Sequence, residues 1–212
     1  MKIMKRIYIY KRFERFWHWS QAFLIIFLAV TGFEVHGSYE IFGFEKAVNF
    51  HRTAAYLLLG LTAFAIFWHF TTEGWRHYIP TTRKLTAQIR FYMSGMFKGE
   101  EHPFNRTELS KLNPAQRLVY LGLKLILIPM VVISGLLYMF YGELGATFWI
   151  VGGISLRSIA NWHTFGAYLM LSFLVVHVYM TTTGATPSAN LRAMLTGYEE
   201  VEEHATKEES VI

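Results

Sequence analysis

The chain has 212 residues, of which 53% are apolar, 17% are aromatic and only 17% are charged. Soluble domains usually carry about a quarter charged residues, so the composition favours a membrane protein. Cysteine is absent, which excludes disulfides, zinc fingers, iron–sulfur ligation and covalent c-type haem attachment by this chain.

Four segments are long and apolar enough to cross a bilayer, which takes roughly 20 residues of α-helix. They cover about residues 17–35, 48–70, 118–141 and 159–181, and tryptophan and tyrosine cluster near their ends as in an aromatic belt. The first segment lacks a small-residue cleavage site and three spans follow it, so we interpret it as a span rather than a signal peptide. The predicted fold class is all-α integral membrane: a four-helix transmembrane bundle forming one domain over residues 1–212.

The basic residues predict the orientation of the bundle. Six lie before the first span, eight lie in the long connection of residues 71–117, and two lie in the tail of residues 182–212. The other two connections hold only Lys46 and Arg157. Both termini and the long connection are therefore expected on the cytoplasmic side of the cell inner membrane. The net charge of +5 is then a topology signal, which argues against nucleic acid as a partner.

The long connection and the tail carry patterns of their own. Apolar residues occur at helical spacing among basic residues in the connection: Leu85, Ile89, Tyr92, Met93 and Met96. This pattern fits a helix lying on the membrane surface, or equally a docking surface for a partner subunit. The acidic tail YEEVEEHATKEES is expected to be a solvated or partner-bound extension. Pro129 predicts a kink in the third span, with Ser134 as a candidate partner for the freed backbone groups.

Five of the nine histidines lie within the predicted spans, where ionisable residues are costly and often functional: His18, His51, His69, His163 and His177. A single histidine there would more often be a hydrogen-bonded interior residue, but these fall into pairs. His163 and His177 are close to four helical turns apart, so they share a face with about 21 Å of rise between them. Because successive spans alternate in direction, His18 falls at the cytoplasmic depth of His177, and His51 falls at the outer depth of His163.

Facing histidines at two depths are what bis-imidazole ligation of two haem irons requires. We therefore predict two b haems, with axial ligand pairs His18/His177 and His51/His163. Two alternatives stay open: His69 lies at the cytoplasmic depth and competes with His18, and His36 competes with His51. Among the glycines within the spans, four are candidates for close approach of a macrocycle or for ordinary helix packing: Gly32, Gly60, Gly135 and Gly166.

The run RFERFWHWSQAFLIIFLAVTGF resembles the first helix of the bacterial cytochrome b subunits of formate dehydrogenase, Ni,Fe-hydrogenase and thiosulfate reductase. The runs HRTAAYLLLGL and NWHTFGAYLMLSFLVVHVYMTTTG resemble the second and fourth helices of that family. The resemblance implies a dihaem membrane subunit with the same ligand pairs, exchanging electrons with menaquinone or ubiquinone. It also implies an iron–sulfur electron-transfer subunit and a catalytic subunit as partners, and the formate dehydrogenase gamma-like subunits are the preferred neighbours.

Other charged and polar residues are candidates for contacts with these groups. Arg15 at the cytoplasmic depth, and Arg52 and Arg157 at the outer depth, could pair with haem propionates or act as snorkelling anchors. The resemblance places quinone near the cytoplasmic haem, where the candidate contacts are His69, Glu73, Lys124 and Tyr179. Glu73 and His77 are candidate sources of protons for the quinone.

The predicted function is electron transfer across the membrane between a partner redox enzyme and the quinone pool. Without cysteine the chain has no ligand set for chemistry on formate, hydrogen or sulfur compounds, so such chemistry is expected in partner subunits. One alternative is a standalone dihaem quinol or superoxide oxidoreductase. Another is a haem-free proton-coupled transporter, although the sequence shows neither the discontinuous helix nor the duplicated half that transporters usually have.

Overall fold

The computed structural model describes residues 4–100, 103, 111–147, 153–184 and 186–202. Within these residues, two strands and eight α-helices follow one another in the order β1 (Met4–Tyr8), α1 (Arg12–Val35), α2 (Phe44–Thr71), α3 (Leu85–Arg90), α4 (Pro114–Gly122), α5 (Ile128–Met139), α6 (Tyr141–Thr147), α7 (Leu156–Thr181), α8 (Ala189–Thr196) and β2 (Tyr198–Glu202). Short 3₁₀ turns lie at Gly74–Tyr78 and Met96–Lys98, and π-helical turns lie at Phe91–Gly95 and Leu123–Leu127.

Four helical segments of the described chain are long and apolar enough to cross a membrane, as predicted: Arg12–Val35, Phe44–Thr71, Pro114–Met139 and Leu156–Thr181. The third consists of α4, a π-helical turn and α5. Large apolar side chains such as Phe23, Phe67 and Ile126 are about two-thirds exposed, as expected where a lipid tail rather than protein covers the helix. The helices pack mainly as two pairs, α1 with α2 and α5 with α7.

A buried carboxylate closes the short connection between α1 and α2. Glu34 is only 4% exposed, and its Oε1 accepts hydrogen bonds from the backbone amides of Ile41, Phe42 and Gly43 at 2.9, 2.6 and 2.8 Å. These amides would otherwise be without partners in the turn before α2. The carboxylate thereby fixes how α2 returns alongside α1.

The third span departs from regular α-helix where a proline predicted a disturbance. The π-helical turn Leu123–Leu127 lies directly before Pro129, which occupies the first turn of α5. Proline cannot donate a backbone hydrogen bond. In the turn before it, the backbone hydrogen bonds span five residues, as in a π-helix, rather than four. Ser134, expected to serve the freed backbone groups, instead donates to the Met130 carbonyl within its own helix, at 2.6 Å. That expectation was wrong, because the hydroxyl donates its hydrogen to Met130 and its oxygen faces a histidine that is described below.

The long connection contains the predicted helix, but it is short. α3 covers only Leu85–Arg90 and continues through a π-helical turn and a 3₁₀ turn to Lys98. Ile89 and Met93 are exposed, at 44% and 76%, whereas Phe91 is buried. One face of the segment therefore packs against the protein and another stays apolar and uncovered. The side chains of Met96 and His77 lie outside the described part of the structure.

The fold is mostly helical, as predicted, but a small antiparallel sheet accompanies the helices and pairs residues 198–202 of the tail, which was expected to be an extension. β1 pairs with β2 in the register Met4↔Glu202 to Tyr8↔Tyr198, and the guanidinium of Arg6 lies 4.2 Å from the Tyr198 ring centre. The hydropathy pattern of single segments does not reveal this pairing, because the strands come from opposite ends of the chain. Residues 203–212 lie outside the described part.

The sheet and α8 fasten the tail to the start of α1. Arg15 donates to the Leu195 carbonyl at 2.5 Å and Trp19 donates to the Met194 carbonyl at 3.3 Å. Gly197 ends α8 with φ +90°, and a Cβ there would lie 2.7 Å from the Tyr8 ring. Strands β1 and β2 therefore lie together at one end of the bundle, which we call the inner end. The opposite end, which holds the α1–α2 connection, is the outer end.

Candidate haem-binding site

Two histidines face each other near the outer end of the bundle. The ring centres of His51, in the second turn of α2, and His163, in the second turn of α7, lie 6.2 Å apart. The Nδ1 atom of His51 lies 3.1 Å from the Thr31 hydroxyl. That of His163 lies 3.2 Å from the Ser134 hydroxyl and 3.1 Å from the Val131 carbonyl. We call His51 and His163 the outer pair.

The second pair lies at the inner end. The ring centres of His18 in α1 and His177 in α7 are again 6.2 Å apart. Phe173 stacks on His177 with the ring planes 14° apart, and the Tyr120 hydroxyl lies 3.4 Å from the His177 Nδ1. The Nδ1 of His18 is buried with no hydrogen-bond partner among the described residues. We call His18 and His177 the inner pair.

The geometry of both pairs fits haem iron. A metal–imidazole nitrogen bond is about 2 Å long and each nitrogen lies about 1 Å from its ring centre, so two imidazoles on opposite faces of one iron have ring centres roughly 6 Å apart. The observed separation is 6.2 Å in both pairs. Helical rise puts the pairs about 21 Å apart along α7. The fold thus brings together the four histidines that the sequence singled out, in the predicted combinations and at opposite ends of the bundle.

The two competing histidines lie apart from the pairs. His36 is exposed at the end of α1. His69 hydrogen-bonds the Ala65 carbonyl through Nδ1 at 2.7 Å, and its ring packs edge-on against Trp17 with the ring centres 5.3 Å apart. Its remaining nitrogen, Nε2, lies 3.5 Å from the Tyr78 hydroxyl. Both nitrogens of His69 are therefore occupied by protein groups.

The arginines proposed for propionates differ in their surroundings. Arg15 uses one nitrogen on the Leu195 carbonyl, while its Nε is buried with no partner in the described structure. That orphaned donor lies one helical turn before His18, where an anionic group would satisfy it. Arg52 pairs with Asn49 at 3.0 Å at the surface, and Arg157 is exposed. Of the three, only Arg15 has the buried free donor that a propionate would need.

The model of the prokaryotic cytochrome b561 family matches residues 9–197, which include all four spans and both histidine pairs. The chain belongs to the prokaryotic cytochrome b561 family. It is therefore a membrane b-type cytochrome of electron transfer, and the family implies haem b as its cofactor. Membership confirms the resemblance to bacterial cytochrome b subunits and disagrees with a haem-free transporter.

Two proteins are similar in sequence to this cytochrome. This cytochrome is 31% identical over 202 residues to a putative cytochrome YdhU of Escherichia coli K12, covering 92% of this chain and 75% of the relative. It is 25% identical over 201 residues to a probable Ni/Fe-hydrogenase B-type cytochrome subunit of Cupriavidus necator, covering 84% of this chain and 80% of the relative. No solved structure matches this chain.

A polar cluster lies near the inner pair of this cytochrome, and we call His69, Tyr78 and Lys124 the inner cluster. The Lys124 ammonium lies 3.1 Å from the Tyr78 ring centre and 6.0 Å from that of Trp17. Lys124 belongs to the π-helical turn, and such turns often occur at functional sites. Burial is the main cause that raises the pKa of Tyr78, with the Glu14 charge as the next contribution. The phenol therefore stays protonated, and able to donate, at physiological pH.

The structure does not bring Glu73 and Tyr179 into the inner cluster. Glu73 pairs with Arg76 at 3.1 Å, and both side chains are more than 60% exposed. Tyr179 is 50% exposed. Both were expected as quinone contacts because of their depth, but depth alone does not fix the side of the helix. Their exposure makes them surface residues at that depth.

Sequence reasoning did not connect to the histidines several residues that contact them, among them Thr31, Ser134, Tyr78, Tyr120 and Phe173. Thr31 and Ser134 are hydroxyl residues within apolar spans, each directly followed by a glycine. That signal was visible, although its link to a histidine on another helix was not. Tyr78 lies in the 3₁₀ turn after α2. Tyrosine is common near the ends of membrane spans, so its position did not indicate a contact with a histidine.

Proposed function

We propose that this cytochrome holds two b haems, one in each histidine pair, and carries electrons between a partner redox enzyme and the quinone pool. The observation that carries the proposal is the repeated separation of 6.2 Å between facing imidazoles at the two ends of one bundle. Two such sites about 21 Å apart would provide the two redox centres that electron transfer across a membrane needs. A single buried pair would not span the bilayer.

Residues of this chain would hold both redox centres. The four histidines would hold the haem irons through ring nitrogens, and Arg15 would offer a buried donor to a propionate. When bound, haem supplies a one-electron carrier whose potential depends on its ligands, their hydrogen bonds and burial. The distribution of basic residues supports placing the inner end at the cytoplasmic face of the inner membrane.

We place quinone at the inner cluster. A quinone has two carbonyl oxygens that accept hydrogen bonds, and it takes up two electrons and two protons when it becomes a quinol. Lys124 is a half-buried donor, and the Tyr78 hydroxyl, which donates to Nε2 of His69, can turn to a quinone oxygen instead. Beside them lies the Glu14–Lys111 ion pair at 2.7 Å, which supports a path for protons from the inner surface. Either menaquinone or ubiquinone fits this donor set.

The partner is expected to be a redox enzyme that delivers electrons through an iron–sulfur subunit. The relative named as a Ni/Fe-hydrogenase B-type cytochrome subunit supports this class of partner, and a formate dehydrogenase-like enzyme belongs to the same class. The absence of cysteine from this chain fits a division of labour in which other subunits hold the iron–sulfur centres and the catalytic site.

The test is a reduced-minus-oxidised spectrum of the membrane-purified chain, together with its haem-to-protein ratio. We expect two low-spin b haems per chain in the wild type, and one in each of the variants His163→Ala and His177→Ala. His36→Ala is the matched control, because it removes an imidazole outside both pairs. Absence of haem, or a ratio of two in both pair variants, would contradict the proposal.

A further inference from the structure

The outer pair is held by a structural motif that occurs twice. Thr31 of α1 contacts His51 of α2, and Ser134 of α5 contacts His163 of α7, so each hydroxyl lies on the helix that packs against the histidine-bearing helix. Sequence comparison within the chain does not reveal this repetition, since only a hydroxyl residue, a glycine and a distant histidine recur.

The hydrogen-bond directions in the motif determine the tautomer of each histidine. A hydroxyl has one hydrogen to donate. Thr31 donates its hydrogen to the Phe27 carbonyl at 2.8 Å, so its oxygen accepts from Nδ1–H of His51. Ser134 likewise donates to the Met130 carbonyl at 2.6 Å, so it accepts from His163. With Nδ1 protonated, Nε2 of both imidazoles is left as the ligand atom.

A carbonyl gives an independent reason for the same tautomer at His163. Nδ1 of His163 also lies 3.1 Å from the Val131 carbonyl oxygen. A carbonyl can only accept, so this nitrogen must carry the hydrogen. His163 therefore meets one hydroxyl and one carbonyl of the neighbouring helix.

The glycine after each hydroxyl residue provides the space for this approach. A Cβ on Gly32 would lie 3.0 Å from Cε1 and 3.3 Å from Nδ1 of His51. A Cβ on Gly135 would lie 3.0 Å from Cε1 and 3.3 Å from Nδ1 of His163. Gly60 and Gly166 do not act in this way, because Gly60 has open space around it and Gly166 packs against Val131 and Met130.

The inner pair lacks the motif. The Nδ1 of His18 has no hydrogen-bond partner in the part of the chain that is described, and the Nδ1 of His177 meets the Tyr120 hydroxyl at a longer 3.4 Å. A hydrogen bond donated by Nδ1–H makes an imidazole a more basic ligand. A more basic ligand favours the ferric over the ferrous state of a haem. The two ends of the bundle therefore differ in how strongly their ligands stabilise oxidised iron.

We propose that Thr31 and Ser134 are positioning residues that hold the outer pair with Nε2 towards the iron and lower the reduction potential of the outer haem below that of the inner haem. This inference rests on the proposed haem ligation. Electrons would then pass from the outer to the inner end with a favourable free energy. The direction follows from hydrogen bonding within this chain, whichever enzyme is the partner.

The test is a potentiometric titration of the purified chain, with the two haems distinguished by the spectra of His163→Ala and His177→Ala. In Thr31→Val and Ser134→Ala we expect the outer-haem potential to rise, with the reduction equilibrium shifting up to about tenfold, or about 59 mV for a one-electron couple. The inner-haem potential should stay unchanged. The conservative variants Thr31→Ser and Ser134→Thr should restore the wild-type value.

The matched controls are Thr53→Val and Ser172→Ala. Both hydroxyls bond a carbonyl of their own helix, on Asn49 and Tyr168, and neither contacts a histidine in the structure. Two haems with an unshifted outer potential in Thr31→Val and Ser134→Ala would overturn the inference and leave the haem ligation intact. A wild-type chain without haem would instead overturn the proposed function. Loss of the outer haem in Thr31→Val, with retention in Thr31→Ser, would support the positioning role.

Discussion

The Lys124 ammonium lies 3.1 Å from the ring centre of Tyr78, which makes the lysine a cation–π partner of a tyrosine in the turn after α2. Such a contact is worth about 2 kcal/mol when it is shielded from water. It fixes a charged side chain and a phenol beside His69, near the inner pair. A bound quinone would find the Lys124 ammonium as a donor there, and the Tyr78 hydroxyl as a second donor once it turns from His69.

We therefore expect Tyr78→Phe and Lys124→Met to weaken quinone binding. Removing one buried donor costs about 1–3 kcal/mol, or roughly fivefold to a hundredfold in affinity. The measurement is KM for a soluble quinol or quinone analogue, with the haem spectrum taken in parallel. Tyr179→Phe and Glu73→Gln are controls outside the inner cluster. Wild-type KM in both cluster variants, or a defect only in the controls, would place the quinone elsewhere.

A second prediction distinguishes His18 from His69. His69→Ala should keep two haems per chain, because both nitrogens of His69 are already occupied by Ala65 and Tyr78. His18→Ala should lose the inner haem and keep the outer one. Haem content and the reduced-minus-oxidised spectrum measure both outcomes. If His69→Ala loses a haem while His18→Ala keeps two, His69 takes the place of His18 as partner of His177.

The spans and the histidine pairs could be predicted because both follow from periodicity. An apolar run of about 20 residues marks a span, and helical rise together with alternating direction assigns each histidine a depth. The pairing of His18 with His177 required only depth and a shared bundle interior. Depth does not say which way a side chain faces: Tyr179 and Glu73 are exposed, and their contact with quinone stays a prediction.

The contacts that depend on helix orientation could not be predicted. Thr31 reaches His51 only because α1 and α2 pack with a particular rotation, and a single sequence does not encode that rotation in any simple pattern. The β1–β2 sheet is similar, because it joins segments nearly 200 residues apart. An acidic tail beside a basic leader is compatible with pairing, but it is equally compatible with two solvated ends.

A third prediction concerns the space beside His51. Gly32→Ala places a Cβ 3.0 Å from the imidazole, so the ring or helix α1 must move by a few tenths of an ångström. Disturbing the support of a metal ligand commonly costs roughly tenfold or more in affinity, and we expect the outer haem to be lost preferentially. Gly60→Ala is the control, since nothing lies within 4 Å of its added Cβ. Haem retention after detergent washing measures the difference, and equal retention would contradict the prediction.

The last prediction concerns Gly197, where the tail turns from α8 into β2. The residue has φ +90°, a conformation that other residues rarely adopt, and an added Cβ would lie 2.7 Å from the Tyr8 ring and 2.8 Å from the Tyr10 carbonyl. The Gly197 carbonyl also accepts hydrogen bonds from the amides of Ile9 and Tyr10 at 2.8 and 3.1 Å. Gly197→Ala should therefore separate the tail from the leader.

The consequence should reach the inner end of the bundle, because Arg15 and Trp19 hold α8 through the carbonyls of Leu195 and Met194, and both side chains lie beside His18 in α1. We expect faster proteolysis of the tail and a lower Tm in Gly197→Ala, with the inner haem released before the outer haem on heating. Gly142→Ala, whose added Cβ meets nothing within 4 Å, should match the wild type. Release of both haems together at the wild-type temperature would show that the tail does not support the inner pair.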